Sequence, residues 1–400
     1  MINRNLEPTI IKYAEEYPVL AIVGPRQSGK TTLAGKVFPE HGYVSLENLD
    51  DRSSAMEDPR GFLSDHPAPL IIDEIQRVPA LFSYLQEEAD KTALPARYVL
   101  TGSQQFLLME KISQSLAGRI VYFRLFPFTC NELYWPHIDK TIKGIITPGN
   151  KDRHMAVPDT HGVIFKGMYP RIHDRSLTPT KWLENYVSTY VERDIRQLVN
   201  VSDLRTFENF LKLTAAQAGQ LFNCSSISNS LGVSVPTVKR WLSLLETSGI
   251  VFILPPHHRN FGKRVVKTPK IYFVDSGLLC FLLSIRKPDE LKNHPLYGNI
   301  FENFVISEFY KRIFHIGEMP PLYFWRDRLG NEIDLAVDLG ELLYPIEIKS
   351  SRTFSPALSH GLKKWMNLAV GQTGEGLVVY DGEKRFGRSS SIATVPWWMI

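Results

Sequence analysis

Cysteine is scarce in this 400-residue chain: Cys130, Cys224 and Cys280 are its three, far apart and without a C-x-x-C pair. That spacing gives neither a disulfide framework nor a zinc-ligand set, so the three read as buried thiols. No apolar run approaches the roughly 18 residues of a membrane-spanning helix. The first residues also lack the charged, apolar and small-residue sections of a secretory leader. A soluble, cytoplasmic protein without membrane contact is expected. A strong charge of one sign is missing too, because 46 Lys and Arg stand against 42 Asp and Glu, a net +4. Any nucleic-acid footprint must therefore be local. No repeat of fixed period is seen, and 44% hydrophobic with 22% charged residues is ordinary globular composition, enough for roughly two to four domains.

What is present begins with Gly24-Pro25-Arg26-Gln27-Ser28-Gly29-Lys30-Thr31, which has the G-x-x-x-x-G-K-[ST] spacing of a nucleotide-phosphate loop. The glycines let the backbone wrap a phosphate with no Cβ in the way. Lys30 can reach the β and γ phosphates, and the Thr31 hydroxyl is placed to ligate Mg²⁺. Residues 19–23 read as a buried strand entering the loop, and 31–38 as the helix leaving it, whose first amides, Thr32 included, face the anion.

Leu70-Ile71-Ile72-Asp73-Glu74 is an apolar strand ending in two carboxylates. The first suits Mg²⁺, often through water, and the second suits polarising an attacking water. A third strand, 97–100, runs into Thr101-Gly102-Ser103 and would bring Ser103 to the γ-phosphate. In an open parallel sheet these strand ends gather at one edge. The guanine signature N-K-x-D is absent, since Asn150-Lys151-Asp152 lacks the spacer, so ATP is favoured. A small-molecule kinase could share the loop, but the Asp73-Glu74 pair better suits water activation. Arg119 closes the expected helix before the strand 120–123. It is placed either to reach the γ-phosphate of a neighbouring subunit or to act as a cation at a helix C-terminus.

Beyond residue 135 the chain changes character. Residues 136–162 are rich in Gly, Pro, Lys and Asp and read as a linker or an ordered insertion; 182–199 is helical by pattern. Its Trp182, Tyr186, Tyr190 and Ile195 alternate with charges, and the aromatics favour a core over base stacking. Arg193 or Arg196 could sense nucleotide from an adjacent lid. A helix-turn-helix pattern starts near Ser225, with a short helix 225–231, a turn Gly232-Val233-Ser234 and a second helix 236–247. Val238, Trp241, Leu242 and Leu245 make its apolar stripe, leaving Thr237, Lys239 and Arg240 to face outward. Strands 250–254 and 270–274 would enclose a basic loop as a wing. Between Glu246 and Asp275 there is no acid, while Arg259, Lys263, Arg264, Lys267 and Lys270 fall there with His257 and His258. The second helix can enter a major groove and the wing can grip the backbone, although winged helices also serve as protein contacts.

The last hundred residues carry a second chemical signal. Asp334 and Glu347 lie symmetrically about Gly340-Glu341, so a hairpin would set them opposite each other. Side chains alternate along a strand, so Glu347 and Lys349 share that face while Ile346 and Ile348 point into the core. This is D-x(12)-E-x-K, the core of the PD-(D/E)xK nuclease signature, in which carboxylates hold Mg²⁺ beside a scissile phosphate and the lysine positions hydroxide. Glu302, on an expected helix 300–314, would support the metal site; Asn299 and Glu302 could equally form a capping box. Asp334, Glu347 and Lys349 could also form a surface ion-pair cluster on a retired nuclease fold.

Together these motifs, with Ala117-Gly118-Arg119, Phe126-Pro127-Phe128, Tyr190-Val191-Glu192-Arg193-Asp194-Ile195 and Ile346-Glu347-Ile348-Lys349-Ser350-Ser351, resemble a bacterial and archaeal family. Its members are AAA-superfamily ATPases with a C-terminal domain of formerly unknown function. The resemblance covers nearly the whole chain. It implies an α/β multidomain fold: an AAA+ ATPase domain (1–135) with a parallel sheet, a helical linker (136–205), a winged-helix domain (206–288) and a PD-(D/E)xK nuclease-like α/β domain (289–400). Hexameric or other ring assembly of identical chains is implied as well. Where the family commonly has a second glycine and an acid, this chain has Met168 and Arg171 in Gly167-Met168-Tyr169-Pro170-Arg171. The expected protein hydrolyses ATP with Mg²⁺ and processes or remodels DNA, with branched junctions suggested by analogy to junction resolvases. Two alternatives stand beside it: a nucleotide switch that binds a protein partner and cleaves nothing, and an active ATP-gated nuclease.

Overall fold

Five aliphatic residues between Pro18 and Gly24 form the buried strand β1 (Val19–Val23), the centre of the first sheet. The structure, a computed structural model, describes residues 2–92, 94–103, 116–135, 141–148, 159–191, 204–258, 266–387 and 391–400. They fall into two compact units, one of residues 1–136, 247–249 and 314–318 and one of residues 137–246, 250–313 and 319–400. In the first, β1 lies in an all-parallel sheet with β2 (Gly42–Ser45), β3 (Leu70–Asp73), β4 (Tyr98–Gly102) and β5 (Ile120–Arg124), in the order β2-β3-β4-β1-β5. Both faces carry apolar clusters, one built on Val19, Ala21 and Ile72, the other on Leu20, Ile22 and Ile71. That is why these strands read as continuous apolar runs rather than alternating ones. β4 separates β1 from β3, and the parallel register brings the C-terminal ends of all three strands to one edge.

The second unit holds a pair of helices, Cys224–Leu231 and Val235–Thr247, joined through Gly232 at φ 66. Asn223 caps the first with its side chain on the amides of Ser225 and Ser226. Val238, Trp241 and Leu245 are buried, and the Trp241 ring meets Phe207 and Phe210 of the helix Leu204–Ala216 at 5.4 and 5.3 Å. Burying rings of that size is worth about 2–3 kcal/mol each, enough to fix the pair on its neighbour. An antiparallel ribbon follows, β6 (Val251–Leu254) with β7 (Lys270–Phe273). The helix Tyr297–His315 then leads to a mixed sheet of β8 (Leu322–Arg326), β9 (Glu332–Asp338), β10 (Leu343–Lys349), β11 (Gly376–Tyr380) and β12 (Ile392–Pro396). Its order is β12-β11-β10-β9-β8, antiparallel among β8, β9 and β10 and parallel from β10 to β12.

Several expectations change here. In the described part of the polar stretch 136–162 the ordered alternative holds: Ile142–Ile146 is a short helix with Ile145 and Ile146 buried, and a helix Thr160–Lys166 starts at the Asp159 cap. The expected helix 182–199 begins earlier, as Pro179–Tyr186, and gives way to a π-helical turn, Val187–Val191. Ile195, Arg193 and Arg196 lie outside the described residues. Gly167 adopts φ 66, and a Cβ there would stand 2.5 Å from an Asp275 carboxylate oxygen. Asp275 in turn accepts from Met168 N at 2.6 Å and caps the helix Ser276–Leu282, so the 167–171 turn docks two helices. Among the described residues no helix is long and apolar enough to cross a membrane.

Candidate nucleotide site and C-terminal carboxylate cavity

At the end of β1 the chain turns into the helix Lys30–Val37 through the phosphate loop. Gly24 passes so close to the end of β5 that a Cβ there would sit 2.0 Å from the Leu125 carbonyl oxygen, so only glycine fits. Gly29 (φ 94) and Gln27 (φ 64) are both left-handed, which for Gln27 stores about 1–2 kcal/mol of backbone strain. Lys30 is buried, with Nζ donating to Pro25 O at 2.9 Å. Ser28 is fully buried and its Oγ has no hydrogen-bond partner among the described residues. An unmet hydroxyl in a glycine-flanked loop fits phosphate oxygens. Arg26 lies 3.7 Å from Glu47, while Thr31 and Thr32 are exposed on the first helical turn.

The two acids of β3 have different partners. Asp73 Oδ1 accepts from Thr31 Oγ1 at 3.0 Å and from Thr101 Oγ1, and Oδ2 accepts from Tyr43 OH at 3.1 Å. β4 thus supplies Thr101, and Asp73 links it to the phosphate loop. Glu74 sits at φ 55 with its carboxylate held by Ser103 Oγ (3.1 and 3.0 Å) and by Gln76 Nε2. Ser103 is therefore a holder of Glu74 in this arrangement. Arg119 forms a two-pronged pair with Asp90, Nε on Oδ1 and Nη2 on Oδ2 at 3.0 Å. The helix expected before it lies in residues outside those described.

Arg4 was not foreseen. Its guanidinium donates to Ser28 O at 2.9 Å, Phe126 O at 2.6 Å and Glu132 Oε1 at 3.1 Å, tying the phosphate loop to the segment after β5. Glu132 also accepts from Asn5 N and Thr129 N, and His315 Nδ1 lies 3.2 Å from it. Burial pushes the Glu132 carboxyl upward, but the charges of Arg4 and His315 outweigh it and hold the group well below the usual carboxylate range. The one signal in the sequence was Thr129-x-x-Glu132, a capping box that does form.

In the second unit, the β9–β10 register, from Leu343 opposite Asp338 to Ile346 opposite Leu335, carries on to place Asp334 against Glu347. Asp334 Oδ2 accepts from Ile348 N at 2.8 Å, and Lys349 Nζ reaches Glu347 Oε1 at 2.5 Å. Ile346 and Ile348 are buried on the other face. Asp334, Glu347 and Lys349 line a cavity of about 870 Å³ together with Glu302 and Lys270, and its wall also carries Arg326, His360 and Lys364. Glu302 is no capping-box acid: its helix starts at Tyr297, and its Oε1 accepts from Lys270 Nζ at 3.0 Å and Tyr272 OH at 2.6 Å. Burial, reinforced by the charge of Asp334, pushes Glu302 and Glu347 each up to about 7. Burial likewise raises Asp334. For Lys349 burial works against the charge, but Asp334 and Glu347 outweigh it and raise its pKa. Glu347 Oε2 is buried with no hydrogen-bond partner among the described residues, so the oxygen set suits a hard divalent cation or another donor. As they stand, no three His, Cys, Asp or Glu side chains among the described residues converge on one ion-sized point.

The expected DNA-facing residues divide. Lys239 and Arg240 are exposed beside the buried stripe, and Lys267 is exposed before β7. Thr237 is half-buried and shares a 2.9 Å hydroxyl bond with Ser234. Arg259, Lys263 and Arg264 lie outside the described residues. Two members of the presumed basic run are corrected. Lys270 is buried on Glu302 and Glu332, and His257 is buried with Nε2 2.9 Å from Asp338 Oδ2.

A parallel sheet in this order, with a phosphate loop after β1 and an acid pair after β3, defines an ATPase of the AAA class. The chain belongs to the family of AAA-domain proteins that carry a C-terminal domain of unknown function. The AAA domain family matches residues 16–134, a domain of unknown function (DUF8612) matches 158–289 and another (DUF4143) matches 297–400. The uncharacterized protein Rv2008c of Mycobacterium tuberculosis is 32% identical over 384 residues, 95% of this chain and 80% of its own. An uncharacterized protein of Haemophilus influenzae is 28% identical over 340 residues, 78% of this chain and 79% of its own. Among solved structures, the Walker-type ATPase PABY2304 of Pyrococcus abyssi is 15% identical with a TM-score of 0.44, over 70% of this chain and 96% of that one. That likeness is partial.

Proposed function

We propose that this ATPase uses hydrolysis to remodel or process DNA, and that its C-terminal cavity is where a phosphodiester is received. The observation that carries the reading is the cavity itself, in which Asp334, Glu347 and Glu302 sit with Lys349 inside a wall bearing Arg326, His360 and Lys364. Carboxylates beside a lysine suit a metal-activated water, and Arg326 and Lys364 in the wall suit a polyanion. At the nucleotide site Lys30 and Ser28 would hold phosphate, Thr31 and Asp73 would hold Mg²⁺, which supplies charge neutralisation when bound, and Glu74 would orient the attacking water once released from Ser103 and Gln76. Lys239, Arg240 and Lys267 would grip the DNA backbone from a winged-helix arrangement. Arg119 would serve a neighbouring copy in a ring.

A second reading is favoured by one observation: the three carboxylates do not converge, each being bonded to protein groups instead. On that reading the chain is a nucleotide switch whose C-terminal unit binds a protein and cleaves nothing. The test is ATP hydrolysis by the full chain with single-stranded, duplex and four-way-junction DNA, with Lys30→Ala as the blank. Stimulation by one form, with DNA binding that falls steeply with salt, supports the DNA reading, and hydrolysis indifferent to all three overturns it. Mg²⁺- or Mn²⁺-dependent cleavage lost in both Asp334→Ala and Lys349→Ala would place the nuclease chemistry in the cavity.

A further inference from the structure

Lys270 enters the carboxylate cavity from outside the D-x(12)-E-x-K motif. It opens β7, in the ribbon with β6, yet its side chain is only 4% exposed and projects among acids from two other elements. Its ammonium lies 3.0 Å from Glu302 Oε1, on the helix Tyr297–His315, and 2.5 Å from Glu332 Oε1, on β9. The ring of Phe324 is 5.6 Å away. Two residues along the same strand face, Tyr272 OH donates to the same Glu302 oxygen at 2.6 Å. Other groups around the ammonium are Asp334 on β9 and Arg326 on β8, the latter paired with Glu332 at 3.1 Å. Burial opposes the Lys270 charge, but Glu302, Glu332 and Asp334 more than offset it.

We propose that Lys270 is a built-in counter-cation that competes with a divalent metal ion for the carboxylates of this cavity. The proposal rests on the reading of Glu302, Asp334 and Glu347 as a metal site. A fixed monovalent ammonium neutralises part of the acid cluster and, with Tyr272 OH, fills one oxygen of Glu302, so an ion that recruits that oxygen must displace one of the two donors and meets the repulsion of the ammonium. Glu347 Oε2, buried and without a hydrogen-bond partner among the described residues, remains in the cavity lining as a ligand atom still available. Lys270 thus sets how readily the cavity takes a metal, while Lys349 stays with Glu347.

The experiment is Mn²⁺ titration of the nucleotide-free full chain, followed by electron paramagnetic resonance and calorimetry, with Asp334→Asn subtracting ions held elsewhere. Lys270→Met removes the charge and keeps the length. It should tighten Mn²⁺ binding about tenfold or more. Tyr272→Phe removes only the neutral hydrogen bond to Glu302 and should change it by less than about threefold. Thermal melts establish that each variant is folded; should Lys270→Met fail to fold, Lys270→Gln replaces it with the same expectation. Equal binding by wild type and Lys270→Met, both abolished by Asp334→Asn, would overturn the competitor role and leave the metal site standing. Weaker binding by Lys270→Met would overturn it too, because the lysine would then be orienting Glu302 for the ion. No Asp334-dependent binding in any folded variant would sink the metal-site reading and this proposal together.

Discussion

The two acid-bearing sites are put together differently. The phosphate loop is a single stretch, Gly24 to Thr31, and its acids end the neighbouring strand β3; each piece is contiguous and carries its own spacing signature. The C-terminal cavity draws on β7, the helix Tyr297–His315, β8, β9, β10 and the helix His360–Leu368. Only its β9–β10 part, 13 residues from Asp334 to Glu347, repeats the spacing of a motif. A site made of one turn binds a fixed piece of ligand, a phosphate chain, with backbone. One gathered from six elements depends on how they pack, so its ion balance is set by residues such as Lys270 that no local pattern marks.

The sharpest way to test that contrast is Lys30→Ala. It should lower kcat/KM for ATP by about a thousandfold or more, about 4 kcal/mol, with metal binding in the cavity unchanged; phosphate release and Mn²⁺ titration read the two. Arg4→Met attacks the contrast from the other side, because it asks whether the local site also leans on a distant residue. Leaving Glu132 buried without its main cation should cost about 3 kcal/mol of stability, seen as a lower Tm, and should weaken nucleotide binding through Ser28 O. Binding and melting both unchanged would show that the loop needs only its own residues.

A smaller effect concerns acid stability of the second unit. Burial drives His173 down to about 4, with its Nε2 donating to Gly167 O at 2.8 Å. The unfolded imidazole takes a proton near 6.5 and the folded one resists it. The contribution of His173 is therefore intact above about pH 6.5 and is lost as pH falls towards 4, by about 2 kcal/mol at pH 5. His173→Gln should flatten that slope in denaturant melts; an identical slope would assign the acid sensitivity elsewhere. Smallest is Thr101→Val, which removes one hydrogen bond to Asp73 and should cost about 1 kcal/mol, with ATP turnover lowered only severalfold.

Much of this was legible because periodicity and spacing are local. β1, β3, the Val238-Trp241-Leu245 stripe and the centre of the β9–β10 hairpin at 340–341 follow from runs, three-and-four spacing and strand alternation. The basic run was misread for the same reason. A row of positive residues says nothing about which way each one turns, and Lys270 and His257 turn to Glu302 and Asp338 in elements tens of residues away. Arg4 escaped because a single arginine has no period, and its three acceptors come together only when the sheet is built.

The parallel pairing of β1 with β5 runs from Val19 opposite Ile120 to Val23 opposite Arg124. Arg119 therefore stands where that strand pair begins and the phosphate loop where it ends, with five residues, about 16 Å of strand, between them. The Arg119 side chain, paired with Asp90, stands at the opposite end of that strand pair from the loop of its own chain. If Arg119 takes part in hydrolysis, turnover acquires a molecularity: activity per molecule falls on dilution, and an Arg119→Ala copy is silent beside itself yet a competent customer of an intact neighbour. A mixture of Lys30→Ala and Arg119→Ala proteins, each dead alone, would then regain turnover on mixing.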